Sequence, residues 1–235
     1  MKNYFLHGMH HGVPIALGYL SVSFGFGILA SKAGLSVWDA AMISITNLTS
    51  AGQAAGVQII KQHGTIFEMI ITQLVINIRY SLMSLSLSQK LDKSFSFPKR
   101  LLASYGITDE IFAVSSVQDG KLKASYMYGM ILISFLGWTV GTILGASAGE
   151  LLPKAVSDAM GIVLYGMFIA IIIPPSRKNK KILFVVLTAA VLSILCTAFF
   201  KFISAGFSII ICSVLASILG AVIFPVDDEE EEETA

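Results

Sequence analysis

The chain has 235 residues, of which 55% are hydrophobic and only 13% charged, with mean hydropathy +0.77 and net charge +1. A soluble domain carries roughly twice that share of charge, and a near-neutral chain offers no basic surface for nucleic acid. Two cysteines, Cys196 and Cys212, sit in separate apolar stretches with no CxxC pair, which excludes a disulfide framework or a zinc-ribbon site and leaves packing as their role.

In chain order, stretches of about 20 mostly apolar residues, the length a bilayer crossing needs, fall at 13–31, 65–88, 125–148, 156–173, 182–200 and 205–224. The first does not read as a cleavable leader, because Lys2 is the only nearby basic side chain and the apolar run is long. Two more segments have helical length but are too polar to face lipid: 40–60, with Thr46, Asn47, Thr49, Ser50, Gln53 and Gln58, and 101–118, with Ser104, Thr108, Asp109 and Glu110. The expected fold is therefore an all-α polytopic membrane protein. It has about six full spans and two polar helices, near 40–60 and 101–118, that are broken or re-entrant. Residues 1–225 form one transmembrane domain. The acidic run Asp227–Glu233 leaves 226–235 as a disordered cytoplasmic tail.

The basic loops fix part of the topology. Lys90, Lys93, Lys99 and Arg100 fall in one, Arg177, Lys178, Lys180 and Lys181 in another, and both belong in the cytoplasm. The spans at 125–148 and 156–173 already supply the even number of crossings between them, so 101–118 does not cross; Lys121 and Lys123 agree. For 40–60 the choice stays open, and with it the side of the N-terminus. A short similarity between 28–34 and 143–149 hints at an internal repeat.

Gly137, Gly141, Gly145 and Gly149 repeat every four residues, which lays small residues on one helix face and invites close packing by a second helix, of this chain or another. The same stretch matches GxSxG around Ser147, but a serine nucleophile needs a base, and the only histidines, His7, His10, His11 and His63, lie outside clear spans. His7, His10 and His11 have no acid or cysteine beside them in sequence to complete a metal site.

Charge within apolar sequence carries the functional reading. An ionised side chain at the bilayer centre costs at least ~2.5–3.5 kcal/mol and commonly marks a substrate or proton path. Arg79, in Asn77-Ile78-Arg79, either grips a substrate carboxylate, pairs with Asp109 or Glu110, or snorkels toward the basic loop. Asp109 and Glu110 point about 100° apart on a helix, so one can pair with Arg79 while the other holds an ammonium or a proton. Alternatively that segment is a cytoplasmic surface helix. Thr49-Ser50-Ala51-Gly52-Gln53 is either a helix break, whose following half-helix aims free N–H groups at a carboxylate, or a continuous helix with a buried polar stripe. Glu68 lies near a span end and reads as interfacial.

Taken in order, Gly12-Val13-Pro14 with Gly18, Phe24-Gly25, Ser50-Ala51-Gly52-Gln53, Asn77-Ile78-Arg79, Thr108-Asp109-Glu110, and Leu136-Gly137-Trp138 with Gly141-Thr142 and Gly145 resemble the AzlC family of branched-chain amino acid transport proteins, over roughly residues 8–220. The family's asparagine–leucine–arginine stands here as Asn77-Ile78-Arg79, and its aspartate–phenylalanine as Asp158-Ala159. The resemblance implies a multi-pass exporter of leucine, isoleucine, valine and often methionine in the bacterial plasma (inner) membrane. It further implies a secondary transporter driven by the proton gradient, not an enzyme, with no cofactor or metal, working with a small AzlD-like membrane subunit. The residues expected to bind substrate are Thr49, Ser50, Gly52, Gln53, Asn77, Arg79, Thr108, Asp109 and Glu110. The alternatives are a transporter or channel for another small solute, and an intramembrane hydrolase using Ser147.

Overall fold

A computed structural model describes residues 3–149, 166, 169, 172–200 and 202–225; most of the span expected at 156–173, Asp158 and the acidic tail lie outside them. The described elements are α1 Tyr4–Lys32, α2 Val37–Thr46, α3 Ala51–Lys61, α4 Ile66–Ser88, α5 Phe97–Tyr105, α6 Asp109–Ser116, α7 Ala124–Ala148, α8 Lys180–Phe199 and α9 Ala205–Ile223. Among the described residues, five helices are long and apolar enough to cross a membrane: α1, α4, α7, α8 and α9. This is the all-α polytopic architecture expected. The chain divides into two compact units, Met1–Val57 with Ile76–Tyr165 and Gln58–Val75 with Gly166–Ala235.

The first unit is organised by α1 against α7. The glycine stripe of α7 meets the backbone of α1: a Cβ at Gly137 would stand 2.5 Å from the Ala16 carbonyl oxygen, at Gly141 2.5 Å from that of Leu20, and at Gly145 2.0 Å from that of Phe24. Gly149 faces Ser31. From α1 the approach is reciprocal, Gly12 onto Met130 and Gly27 onto Thr142. Lipid gives no hydrophobic reason for two helices to associate, so backbone contact through small residues supplies the van der Waals attraction. The facing pairs advance in the same direction along both helices, from Gly8 with Tyr126 to Phe24 with Gly145, so α1 and α7 run parallel. The similar segments 28–34 and 143–149 therefore lie side by side.

Parallel packing settles what Lys2 could not. The N-terminal ends of α1 and α7 share one side, where Lys123 Nζ sits 4.0 Å over the Tyr4 ring. That side also holds the first basic loop: Leu122 N–H donates to the Lys90 carbonyl at 2.7 Å, and Lys90 Nζ donates to the carbonyls of Ser116 and Gln118 at 2.7 and 2.6 Å, closing the C-terminal end of α6 with a cation. This basic face is cytoplasmic, so the N-terminus is cytoplasmic and α1 runs outward. Helix α4 ends beside Lys90, so it runs inward from the outer face. Between α2 and α3 the helix is interrupted at residues 47–50.

Both polar segments are thus broken, in the same way. Ser36 and Asp39 form a capping box at the start of α2. The helix stops at Thr46, an extended Asn47 and a left-handed Ser50 (φ 29°) turn the chain, and α3 starts at Ala51. From the cytoplasmic face, α5 has Pro98 in its first turn, stops at Gly106, and α6 restarts behind Thr108, whose Oγ1 accepts the Ile111 N–H. Each half is about 12–17 Å long at 1.5 Å per residue, half a bilayer. The two turning points meet: the Tyr105 hydroxyl donates to the carbonyl of Ile45. A Cβ at Gly106 would stand 2.4 Å from Ile131, so the α5–α6 turn sits tightly on α7.

The second unit contains the antiparallel pair α8–α9, with Gly220 against Val185, Phe184 edge-on to Phe224 at 5.5 Å, and Cys196 beside Cys212. The start of α4 joins it through Glu68. Glu68, in the first turn of α4 and so near a span end as expected, is buried, 3% exposed: its Oε1 accepts the Gly206 N–H at 2.9 Å and the hydroxyl of Ser204 at the N-terminus of α9.

Candidate functional site

The breaks bring charges together inside the first unit. Arg79, midway along α4, pairs with Asp109, the first residue of α6, at 2.9 Å between Nη1 and Oδ2; the two side chains are 39% and 24% exposed. Arg79 Nη2 also donates to Tyr80 Oη at 3.3 Å, and the guanidinium lies 5.0 Å from that ring's centroid.

Glu110 turns the other way, as adjacent helical residues must. Its Oε2 lies 2.6 Å from the phenol oxygen of Tyr19 on α1, which also lies 2.5 Å from Thr108 Oγ1. A phenol has one proton, and a carboxylate only accepts; Tyr19 therefore donates to Glu110, and the Thr108 hydroxyl donates to the phenol oxygen. Tyr19 is fixed by an edge-on contact with the buried Trp138 at 5.3 Å. Both acids sit in the first turn of α6, where the helix dipole favours negative charge. By residue type the cluster holds two acids, Asp109 and Glu110, to one cation, Arg79.

A second polar group lies around the other break. Ser44 Oγ is 2.8 Å from Thr142 Oγ1, and Gln53 Nε2 donates to Ser44 Oγ at 3.0 Å. All three side chains are buried, and Gln53 Oε1 has no hydrogen-bond partner among the described residues. Thr49 Oγ1 donates to Asn47 Oδ1 at 2.7 Å, and the Gly52 N–H bonds the Thr49 carbonyl at 2.8 Å, so the α3 start has fewer free donors than a bare helix N-terminus. Of the nine expected site residues, Arg79 is paired with Asp109, and Thr108 and Glu110 are linked through Tyr19. Gln53 belongs to the neighbouring hydroxyl cluster; Thr49, Ser50 and Gly52 shape the turn beside it. Asn77 lies on α4 two residues before Arg79. Sequence reasoning missed Tyr19, Ser44 and Thr142. A tyrosine or serine in an apolar helix gives no local sign of which way it faces; only the hydroxyls' shared partners across helices single them out.

Residues 14–152 match the family model described as AzlC protein. The chain belongs to the AzlC family. The matched span holds every member of both polar clusters, and the α8–α9 pair lies beyond it. Similar curated proteins are "Inner membrane protein YgaZ" of Escherichia coli (strain K12), 24% identical over 76% of each chain, and "Uncharacterized membrane protein" of Archaeoglobus fulgidus, 30% identical over 72% of this chain and 75% of that one. No solved structure matches. As an AzlC-family chain with five described candidate spans, this is a multi-pass membrane protein. Ser147 lies on the exposed face of α7, with Gly145 and Gly149 against α1, so helix packing accounts for both glycines of the GxSxG match. His11 Nδ1 is 2.8 Å from Tyr126 Oη and its ring 4.3 Å from that of His7. Among the described residues no set of three or more histidine, cysteine or acidic side chains is placed to hold a metal.

Proposed function

We propose that this AzlC-family protein is the large subunit of a secondary exporter of leucine, isoleucine and valine, with methionine as a further substrate. It would act in a bacterial plasma membrane with a small AzlD-like membrane subunit. The observation that carries the reading is the split of the two acids: Arg79 pairs with Asp109, while Glu110, held by Tyr19, meets no cation among the described residues. A zwitterion complements that arrangement. Its carboxylate competes with Asp109 for the guanidinium, which binds carboxylates through paired N–H donors, and its ammonium adds the missing positive charge at Glu110. Asn77 and Gln53, whose Oε1 is unpartnered, complete the shell, and the apolar side chain lies among aliphatic residues. Broken helices at mid-membrane are the usual setting for substrate sites in secondary transporters, and rocking of the surrounding helices gives alternating access.

The test is efflux of preloaded, labelled leucine, isoleucine, valine and methionine from proteoliposomes, with and without the small subunit, for wild type and Arg79→Ala. Efflux that needs both chains and disappears in Arg79→Ala supports the exporter and its site. Efflux of an unrelated solute alone, with none of the four amino acids moving, assigns a different transporter. Amino acid efflux unchanged in Arg79→Ala removes Arg79 from the site.

A further inference from the structure

The parallel starts of α1 and α7 enclose a cavity at the cytoplasmic face that the transport site does not use. Its volume is about 360 Å³, and its lining includes Tyr4 and His7 of α1, Asp119, Lys121 and Lys123 before α7, and Tyr126 of α7. Lys123 Nζ lies 4.0 Å over the Tyr4 ring. Lys121 Nζ gives one of its three donors to the carbonyl of Gln89 at 2.6 Å. Tyr126 Oη is 2.8 Å from His11 Nδ1, and the His7 and Tyr126 rings are 5.8 Å apart. The walls are thus held by contacts within the protein, while both ammonium groups keep donors to give.

Two acids lie near this basic lining. Asp119 is part of it, and Asp92, whose carboxylate accepts the Ser94 N–H at 2.8 Å, is within electrostatic reach of Lys123. Among the described residues, neither forms an ion pair with Lys121 or Lys123. The helices behind the cavity add to its positive character, because two that start side by side present both positive dipole ends to one place. Neither has an acid in its first turn, and Lys123, the residue before α7, makes no side-chain cap. By contrast, α2 carries Asp39 there, and α6 carries Asp109 and Glu110.

The depth of the cavity selects the kind of anion. The apolar part of α1, residues 13–31, is about 28 Å long at 1.5 Å per residue, close to the hydrocarbon thickness. His7 and Tyr4 precede it by about 9 and 13 Å, where headgroups meet the cytoplasm. Tyrosines favour that level, and two of them line the cavity.

We propose that this cavity binds the phosphate of an anionic phospholipid of the cytoplasmic leaflet, with Lys121 and Lys123 as cationic donors and His7 as a further N–H donor. A phosphodiester offers acceptors to all three. A zwitterionic choline headgroup brings its own cation into a basic cavity, where like charges repel. The bound lipid ties the start of α1 to that of α7 and so holds the α1–α7 frame at its cytoplasmic end.

The experiment is thermal unfolding of the purified full chain in neutral detergent, titrated with phosphatidylglycerol, phosphatidylcholine or inorganic phosphate. Phosphatidylglycerol should raise the midpoint saturably, and the other two at equal concentration should not. Lys121→Gln with Lys123→Gln should weaken the apparent affinity for phosphatidylglycerol by about tenfold or more. Lys180→Gln with Lys181→Gln removes the same charge from the other cytoplasmic loop and should leave that affinity near wild type. No saturable effect of phosphatidylglycerol, or equal stabilisation by phosphatidylcholine or by inorganic phosphate, overturns the proposal. An equal loss in both double variants does so too, since it marks a response to net charge alone. If the first double variant does not fold, Lys123→Gln alone, which leaves the Lys121 contact with Gln89 in place, decides the matter. A loss of affinity restored in Lys123→Arg, which keeps both the stacking and the phosphate donors, supports the site; an affinity unchanged in Lys123→Gln overturns it.

Discussion

Replacing Gly145 by alanine tests the frame that positions every charge described above. The new methyl group would stand 2.0 Å from the Phe24 carbonyl oxygen and 2.7 and 2.8 Å from the carbon atoms beside it. All three belong to the backbone of α1, so no rotamer change makes room, and the helices must part by more than about 1 Å, an overpacking cost of about 1–3 kcal/mol. Neighbouring contacts at Gly141 and Gly27 loosen at the same time. The matched control is Gly18→Ala on α1, where nothing lies within 4 Å of the added atom; there the change only removes a mid-helix glycine, a gain of about 0.5–1 kcal/mol. Thermal unfolding in detergent, followed by fluorescence size-exclusion, should rank Gly18→Ala at or above wild type and Gly145→Ala clearly below. Gly145→Ala as stable as Gly18→Ala would refute the parallel α1–α7 contact, and with it the cytoplasmic N-terminus.

Tyr19→Phe removes a hydrogen bond to a carboxylate, worth about 1.5–3 kcal/mol, so leucine efflux at fixed substrate should fall about tenfold or more, while Thr108→Ser, which keeps the hydroxyl, should stay near wild type. Ser147→Ala should leave efflux unchanged, since Ser147 faces away from α1; a large loss would reopen the hydrolase reading. In the cytoplasmic loop, the hydroxyl and backbone N–H of Ser94 hold the Asp92 carboxyl below the usual carboxylate range. A depressed carboxyl stabilises the folded loop at pH above its unfolded value of about 3.9 and loses that contribution as pH falls through the lower folded value. Limited proteolysis at 90–97 should therefore be flat from neutral pH to about pH 5 and rise only in stronger acid, and Ser94→Ala should shift the rise upward.

The class of fold was legible because the bilayer imposes length and apolarity on each span, and the breaks in 40–60 and 101–118 were legible because polar residues there have no lipid-facing solution. The partner of the glycine stripe was not: Gly8, Gly12 and Ala16 of α1 are spaced by four, but the large residues Leu20 and Phe24 continue that face, and complementarity between two helices cannot be read from one. The side of the N-terminus was hidden for the same reason, since it follows from α1 running parallel to α7. Arg79, Asp109 and Glu110 announced themselves by the cost of charge in apolar sequence. Tyr19 did not, because a phenol in such a run looks the same whether it faces lipid or a carboxylate. Glu68 was placed near a span end, but its burial was not legible, because the groups that bury it, Ser204 and Gly206, lie more than a hundred residues away.

The claim that Arg79 and Glu110 read the two ends of an amino acid is tested most directly by ligand-dependent stability of the purified complex. Leucine, N-acetyl-leucine and leucinamide present the same side chain with both charges, the carboxylate alone and the ammonium alone. A ligand at a hundred times its Kd stabilises the folded state by about 2.7 kcal/mol, which a melting curve resolves. Leucine should stabilise wild type and both analogues should fail, and Glu110→Gln should abolish the leucine effect. Stabilisation by N-acetyl-leucine equal to that by leucine, or a leucine effect undiminished in Glu110→Gln, would contradict the site.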